Sequence, residues 1–237
     1  MQVIFLAAGK SSRIFKKIKK NKCLLKINKK TIIERNIDIF LKQGIQNITI
    51  CTGFRSKNIK NHLKRKKLNF VLNKNYNRSD MMESLALCLK KSFDDTIVCY
   101  ADIIFEKKVI IDLINETKKK NNIIIPGLKN WRKIWNIRSK NNYDFESFKS
   151  KGKKLVEIGK KNINKNEVKG QFMGIFFIPK LKIQNFLKIY KSKTNKIQTT
   201  NFINHLIKKG NYIQTYVKKY NWFEFDDYED YENFKKK

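Results

Sequence analysis

An α/β fold with a mainly parallel sheet is what this 237-residue sequence predicts, and three observations point to it. Strand-length apolar runs alternate with helical patterns through the first half of the chain. The first run, Gln2–Ala8 (QVIFLAA), is continuous and not alternating, as expected of a strand buried on both faces. No internal repeat and no Pro/Gly/Ser-rich linker divides a chain long enough to bury a large core. One domain over 1–237 is therefore expected, with 1–128 as its first half and 129–237 as a second half of different texture.

Element by element, a basic polar loop is expected after the first strand, through Lys22. TIIERNIDIFLKQG places Ile33, Ile37, Phe40 and Leu41 on one helical stripe, opens on Thr31 as a cap and stops at Gly44. NITICTGF is a strand, SKNIKNHLKRKK a basic helix and LNFVLN a short strand. MMESLALCLKK is a helix, followed by strand TIVCYADIIF, helix KKVIIDLINETKKK and strand NNIIIPG. After Gly127 the regular alternation ends. Hairpin-like pieces (YDFESFK, KLVEIGK) lie among many lysines, and QFMGIFFIP follows as a buried strand. Helices are expected near Lys180–Tyr190 and Thr200–Lys208. Strands YIQTYVKK and WFEFD close the chain, with a short last helix started by Asp226 or Asp227.

Hydrophobic residues make up 41% of the chain, which predicts a globular protein. No apolar run approaches the roughly 18–20 residues of a membrane span. The start lacks a basic region and a small-residue cleavage site, so no secretory signal is expected and the cytoplasm is the expected location. Cys23, Cys51, Cys88 and Cys99 lack metal-ligand spacing and are expected as buried thiols. The formal charge is +34, from 54 Lys+Arg against 20 Asp+Glu. Such a charge raises nucleic-acid binding as a rival function class. The lysines, however, are spread through every segment, and arginine, the residue suited to bidentate contacts, is scarce. Solvated surface lysine or a basic cleft for a polyanionic substrate is the expectation, without a dedicated nucleic-acid partner.

The stretch IFLAAGKSSR (Ile4–Arg13) contains Gly-Lys-Ser, the end of a P-loop. A P-loop needs a further glycine five positions before Gly9, and Ile4 stands there. A dinucleotide fingerprint fails too, since no glycine follows Gly9 among the next residues. What remains is a strand, small residues Ala7, Ala8 and Gly9, then polar Lys10, Ser11 and Ser12, and the cations Arg13 and Lys22. Small residues let the backbone approach a base and ribose, while amides and fixed cations suit a triphosphate.

Leu6-Ala7-Ala8-Gly9-Lys10-Ser11-Ser12-Arg13, then Asn21-Lys22, resembles the signature L-A-A-G-x-G-x-R … P-K of the nucleotidyltransferases of the sugar-nucleotide pyrophosphorylase type. Ser11 replaces the usual glycine, as in some members with other substrates, and Asn21 replaces proline. Three more motifs follow in the family's order: Thr52-Gly53-Phe54, YADIIF with Asp102, and NWFEFDDYEDYENF with Asp226. NKNYNRSDMMESLALC, NWRKIWNIR, DFESF, EIGKK and KGQFMGIFF are similar to stretches of the cytidylyltransferases for phosphocholine and aminoethylphosphonate. The resemblance implies a GT-A-like (Rossmann-like) fold with a mainly parallel mixed central sheet and a smaller substrate-side β subdomain.

It also implies a reaction: a phosphate or phosphonate oxygen of a small acceptor attacks the α-phosphorus of CTP and pyrophosphate leaves. An anionic nucleophile needs no general base, in keeping with a chain whose two histidines lie outside these motifs. Asp102 and Asp226 would hold Mg²⁺ as hard oxygen ligands, and Lys22 and Arg13 would bind the phosphates. Leu6 to Ser12, Gly53, Met82 and Ser84 would line the nucleotide, although Met81, Met82 and Ser84 would serve equally in helix packing. For the acceptor, Trp131, Trp135, Tyr143, Phe172 and Trp222 are available as an aromatic cage, with Glu146 and Glu224 as counter-charges. The sequence leaves a quaternary and a primary ammonium equally open. A sugar 1-phosphate used with UTP, dTTP or GTP is the alternative within the family. A homodimer is left open.

Overall fold

The computed structural model describes residues 1–91, 94–118, 121–138, 145–161, 163–191 and 196–236. In chain order the first elements are strand β1 (Gln2–Ala7), helix α1 (Ser12–Ile18), the short strands β2 (Lys26–Ile27) and β3 (Lys30–Thr31), and helix α2 (Ile32–Lys42). Strand β4 (Asn47–Thr52), helix α3 (Ser56–Leu63), strand β5 (Asn69–Leu72) and helix α4 (Met81–Leu89) follow. Next come β6 (Thr96–Tyr100), β7 (Ile103–Phe105), α5 (Lys107–Thr117), β8 (Ile123–Leu128) and α6 (Trp131–Trp135). The remainder comprises β9 (Phe148–Lys151), β10 (Lys154–Ile158), β11 (Gln171–Phe172), β12 (Ile175–Ile178), α7 (Lys180–Lys191), α8 (Thr199–Lys208), β13 (Ile213–Lys218), β14 (Trp222–Glu224) and α9 (Tyr228–Lys235).

One sheet runs through the molecule in the order β5-β4-β1-β6-β12-β8-β13-β10-β9. Strands β5, β4, β1 and β6 are mutually parallel, β12 is antiparallel to β6 and β8, and β13 is parallel to β8. The β9–β10 hairpin joins β13 at the far edge, so the strands of the second half extend the same sheet. Strand β1 and the residue after it alternate Val3, Phe5 and Ala7 into one core with Ile4, Leu6 and Ala8 into the other, and all six are buried. That double burial explains its uninterrupted apolar run. Helices α2 and α5 cover the first face through Ile33, Ile37, Phe40 and Val109, Ile110, Leu113. Helices α4, α7 and α8 cover the second through Leu85, Phe186 and Phe202 among others. Cys23, Cys51, Cys88 and Cys99 are buried free thiols.

Helix α2 starts where Thr31 and Glu34 form a reciprocal capping box, and Gly44 follows its end at φ +78°. Two expected strands are each broken. TIVCYADIIF divides into β6 and β7 around a tight turn at Ala101-Asp102, and QFMGIFFIP divides into β11 and β12 around Met173-Gly174. The expected loop after β1 contains α1, whose buried residue is Ile14 alone. Both of its ends turn through left-handed residues, Ser11 and Lys19. In each case one apolar or one basic run hides a turn, because composition does not mark it.

Gly53 shows why a small residue is needed at the end of β4. A Cβ there would lie 2.6 Å from the Ala8 carbonyl oxygen and 2.6 Å from the Tyr76 Cβ. Both neighbours are stiff, so Gly53→Ala should cost about 1–3 kcal/mol by overpacking. It should also displace Ala8. A melting temperature equal to the wild type's would contradict this placement.

Candidate active site

The strand ends that matter meet at the carboxyl end of β1. The chain leaves β1 through Ala8 and Gly9, turns at Ser11 and enters α1 with Arg13 in its first turn. Lys22 opens a short 3₁₀ turn, Lys22–Leu24, packed beside this segment. Asp102 sits in the β6–β7 turn. Strand β14 pairs antiparallel with β7, Glu224 opposite Ile103, and the Phe225 amide donates to the Asp102 carbonyl at 3.0 Å. This ladder brings Glu224 and Asp226 beside Asp102 from the far end of the chain.

The side chains then converge. Lys22 Nζ donates to Asp102 Oδ2 at 3.3 Å and to Asp226 Oδ1 at 3.1 Å. Arg13 reaches the same Asp226 Oδ1 at 3.1 Å. Burial alone would lower the Lys22 pKa, but the charges of Asp102, Asp226 and Glu224 outweigh it and raise it, so the ammonium is retained. Burial likewise opposes ionisation of Asp226, yet Lys22, Arg13 and Arg138 hold its pKa down to about 2. Asp102, Glu224 and Asp226 each offer a carboxylate oxygen, and these lie within 4.8 Å of one another. Three partly exposed, hard oxygen donors at that spacing fit a magnesium-sized cation.

Arg138 is the residue that sequence reasoning missed. Its side chain is 0% exposed and reaches Asp226 Oδ2 at 2.9 Å, Glu224 Oε2 at 3.4 Å and Asp230 Oδ2 at 3.7 Å. Its guanidinium also lies 4.8 Å from the centre of the Trp135 ring. It closes NWRKIWNIR, one of the stretches similar to the cytidylyltransferases, where nothing singles it out except that it is one of few arginines in a chain that otherwise uses lysine. A need for planar, multidentate pairing was the available signal.

Three adjoining cavities surround this cluster. The first, about 160 Å³, is lined by Leu6, Ala8, Gly9, Tyr76, Met81 and Ser84 among others. The second, about 290 Å³, holds Ser11, Ser12, Arg13, Lys22, Asp102 and Asp226. The third, about 500 Å³, is lined by Trp135, Glu146, Phe172, Gln171, Trp222 and Glu224 among others. Met81 borders all three, and Arg13, Tyr100, Glu224 and Asp226 border the second and third.

The expected site residues sort accordingly. Leu6, Ala7, Ala8, Gly9, Ser11, Ser12, Arg13, Lys22, Ser84, Asp102 and Asp226 are brought to the first two cavities. Met82 is not: it is 0% exposed, on the inward face of α4 with Leu85 and Leu89, and Met81, one residue earlier, faces the cavity instead. Gly53 packs behind Ala8 and lines none of the three, and Lys10 is exposed away from them. Trp131 is also corrected. It is fully buried, donates to the Val168 carbonyl at 3.1 Å and belongs to the core, so it is no acceptor contact. Trp135, Glu146, Phe172, Trp222 and Glu224 do border the large cavity. Trp135 stacks on Trp222 at 5.9 Å and 8° while holding Arg138, so its ring already has a cation. Tyr143 lies outside the described residues. The choice between Asp226 and Asp227 as helix cap is resolved: Asp227 caps α9 in a capping box with Asp230, leaving the Asp226 side chain to the cluster.

Residues 3–155 match the MobA-like NTP transferase domain. The chain belongs to that family. The NTP transferase match includes Arg13, Lys22 and Asp102, while Glu224 and Asp226 come from the part of the chain beyond it. Over 98% of both chains it is 27% identical to the CTP:phosphoglutamine cytidylyltransferase of Campylobacter jejuni. Its fold is that of a putative glucose-1-phosphate thymidylyltransferase from Bacillus anthracis, with a TM-score of 0.79 at 17% identity, covering 100% of this chain and 94% of the other. The CTP:phosphocholine cytidylyltransferase of Streptococcus pneumoniae superposes with a TM-score of 0.72 at 16% identity, over 99% and 97% of the two chains. The NTP transferase domain is thus a nucleotidyltransferase with a Rossmann-like fold and a mainly parallel sheet. Among the described residues no helix is long and apolar enough to cross a membrane.

Proposed function

We propose that this nucleotidyltransferase is a Mg²⁺-dependent cytidylyltransferase that moves CMP from CTP to a small phosphorylated acceptor. The observation that supports it most is the adjacency of the cavities. A narrow one floored by Leu6, Ala8 and Ser84 suits a base, the Lys22–Asp226 cluster suits the phosphates, and the large one shares its wall with that cluster. An acceptor seated there would present its phosphoryl oxygen to the α-phosphorus. The likeness to the phosphoglutamine enzyme along the whole chain favours CTP, and makes phosphoglutamine the first acceptor to try.

In the reaction an acceptor oxygen forms a bond to the α-phosphorus, the bond from that phosphorus to the bridging oxygen breaks, and pyrophosphate leaves. Lys22 and Arg13 bind and orient the triphosphate and offset the charge that builds on its non-bridging oxygens. Asp102 and Asp226, with Glu224 beside them, are the residues that would hold Mg²⁺. When bound, the ion neutralises phosphate charge and supports the leaving pyrophosphate. Arg138 keeps Glu224 and Asp226 turned toward the cluster.

A pyrophosphate-release screen tests the reading. Four nucleoside triphosphates are paired with phosphoglutamine, phosphocholine, aminoethylphosphonate and sugar 1-phosphates, with Mg²⁺ and then with EDTA. Turnover with CTP and a small phosphorylated acceptor, lost in EDTA, is expected. Turnover only with a sugar 1-phosphate and UTP, dTTP or GTP would discard the cytidylyl assignment, and activity unchanged by EDTA would discard the metal.

A further inference from the structure

We propose that Asn21 and Ser11 act together as positioning residues for Lys22, through a ring of hydrogen bonds that ties three loops into one unit. The inference rests on the reading of Lys22 as a phosphate-binding cation. The ring starts at the end of β1, where the Ala8 carbonyl accepts from the Phe54 amide at 3.1 Å. The Phe54 carbonyl accepts from Asn21 Nδ2 at 2.9 Å. Asn21 leads directly into Lys22, whose backbone amide donates to Ser11 Oγ at 3.1 Å. Ser11 lies three residues after Ala8, which closes the circuit.

Both residues carry costs that make sense only if these bonds matter. Ser11 sits at φ +55°, ψ +30°, a left-handed conformation that costs a serine about 1–2 kcal/mol and that glycine adopts freely. Glycine there would be unstrained but would offer no hydroxyl to the Lys22 amide. Asn21 is 1% exposed and its Oδ1 is buried without a hydrogen-bond partner among the described residues, a penalty of about 1–3 kcal/mol. Proline would escape that penalty, and the Asn21 backbone, at φ −63° and ψ +141°, already has the conformation proline prefers. These are the two positions at which the chain departs from the L-A-A-G-x-G-x-R … P-K pattern. The pair replaces a rigid ring and a permissive glycine with two side-chain bonds, one on each side of the Lys22 peptide. A catalytic ammonium displaced by about 1 Å loses much of its effect on rate, so the bonds are expected to act on turnover more than on folding.

The experiment has two readouts. In pyrophosphate release, Ser11→Gly and Asn21→Ala should each lower kcat about tenfold, with KM for the nucleoside triphosphate within about threefold. Asn21→Pro should return kcat to within about threefold of wild type. Ser11→Gly should melt no lower than wild type, because it relieves strain; slower turnover without lost stability is not what a purely structural residue produces. The second readout needs no substrate. By NMR hydrogen exchange, the Lys22 amide should be protected in the wild type and exchange about tenfold faster in Ser11→Gly. Wild-type kcat in both Ser11→Gly and Asn21→Ala would overturn the inference, and so would an unprotected Lys22 amide in the wild type. If the wild type turned over no substrate, the proposed function would fail, and the exchange measurement would still decide whether the ring holds Lys22.

Discussion

Asp102→Asn should abolish measurable turnover, a fall of about 10³-fold or more in kcat, while the protein keeps its fold. The substitution is isosteric, and removes one negative charge and one hard oxygen donor from the three carboxylates that converge within 4.8 Å. What it breaks in the resting protein is small: an ion pair to Lys22 at 3.3 Å, from a side chain 24% exposed. Lys22 is only 12% exposed but keeps its 3.1 Å pair to Asp226, so the loss should stay at about 1 kcal/mol and the melting temperature should move by only a few degrees. Asp226→Asn should be equally inactive but less stable, because Asp226 also faces Arg13 and Arg138. Pyrophosphate release and a thermal melt on the same preparations separate the two effects. Asp102→Asn retaining a tenth of wild-type kcat would remove Asp102 from the proposed metal site.

Arg138→Met should be the most destabilising single change at the site, costing about 3–5 kcal/mol. The guanidinium is fully buried among Glu224, Asp226 and Asp230, and Asp230 is itself 0% exposed. Removing one member of a buried ionic group leaves the others uncompensated in a poorly solvated place. Methionine fills similar volume, so little of the loss would come from a cavity. Arg138→Lys keeps the charge but not the planar fork and should fall between. Denaturant unfolding measures the difference, which corresponds to roughly 2–4 °C of melting temperature per kcal/mol in a domain of this size. An unchanged denaturation midpoint in Arg138→Met would show that the guanidinium does not hold these carboxylates.

Much of the secondary structure was legible because burial imposes periodicity. Helix α2 showed its apolar stripe, its Thr31 cap and its Gly44 stop, and all three are present. The hidden turns were not legible. Ala101-Asp102 interrupts one apolar run and Gly174 another, and helix α1 buries a single side chain in a basic stretch. The choice between neighbours was equally invisible. Met81 and Met82 are chemically identical, and only the orientation of α4 sends one to the cavity and the other to the core. Trp131 and Trp135 differ in the same way on α6.

By itself the sequence determined most of the order of strands and helices and the residues of the segment from Leu6 to Lys22, and the family resemblance pointed to Asp102 and Asp226. Motif spacing and residue chemistry are local properties, and a chain carries them without folding. Tertiary structure alone decided that Glu224 joins those aspartates, that Arg138 pairs with Glu224 and Asp226, that Ser11 accepts from the Lys22 amide, and that Asn21 is tied to the Phe54 carbonyl. Each of these depends on a contact between segments distant in the chain: the β7–β14 ladder, a buried guanidinium and a ring of loop hydrogen bonds. Such contacts form only when packing brings the segments together, and no periodicity or spacing records them.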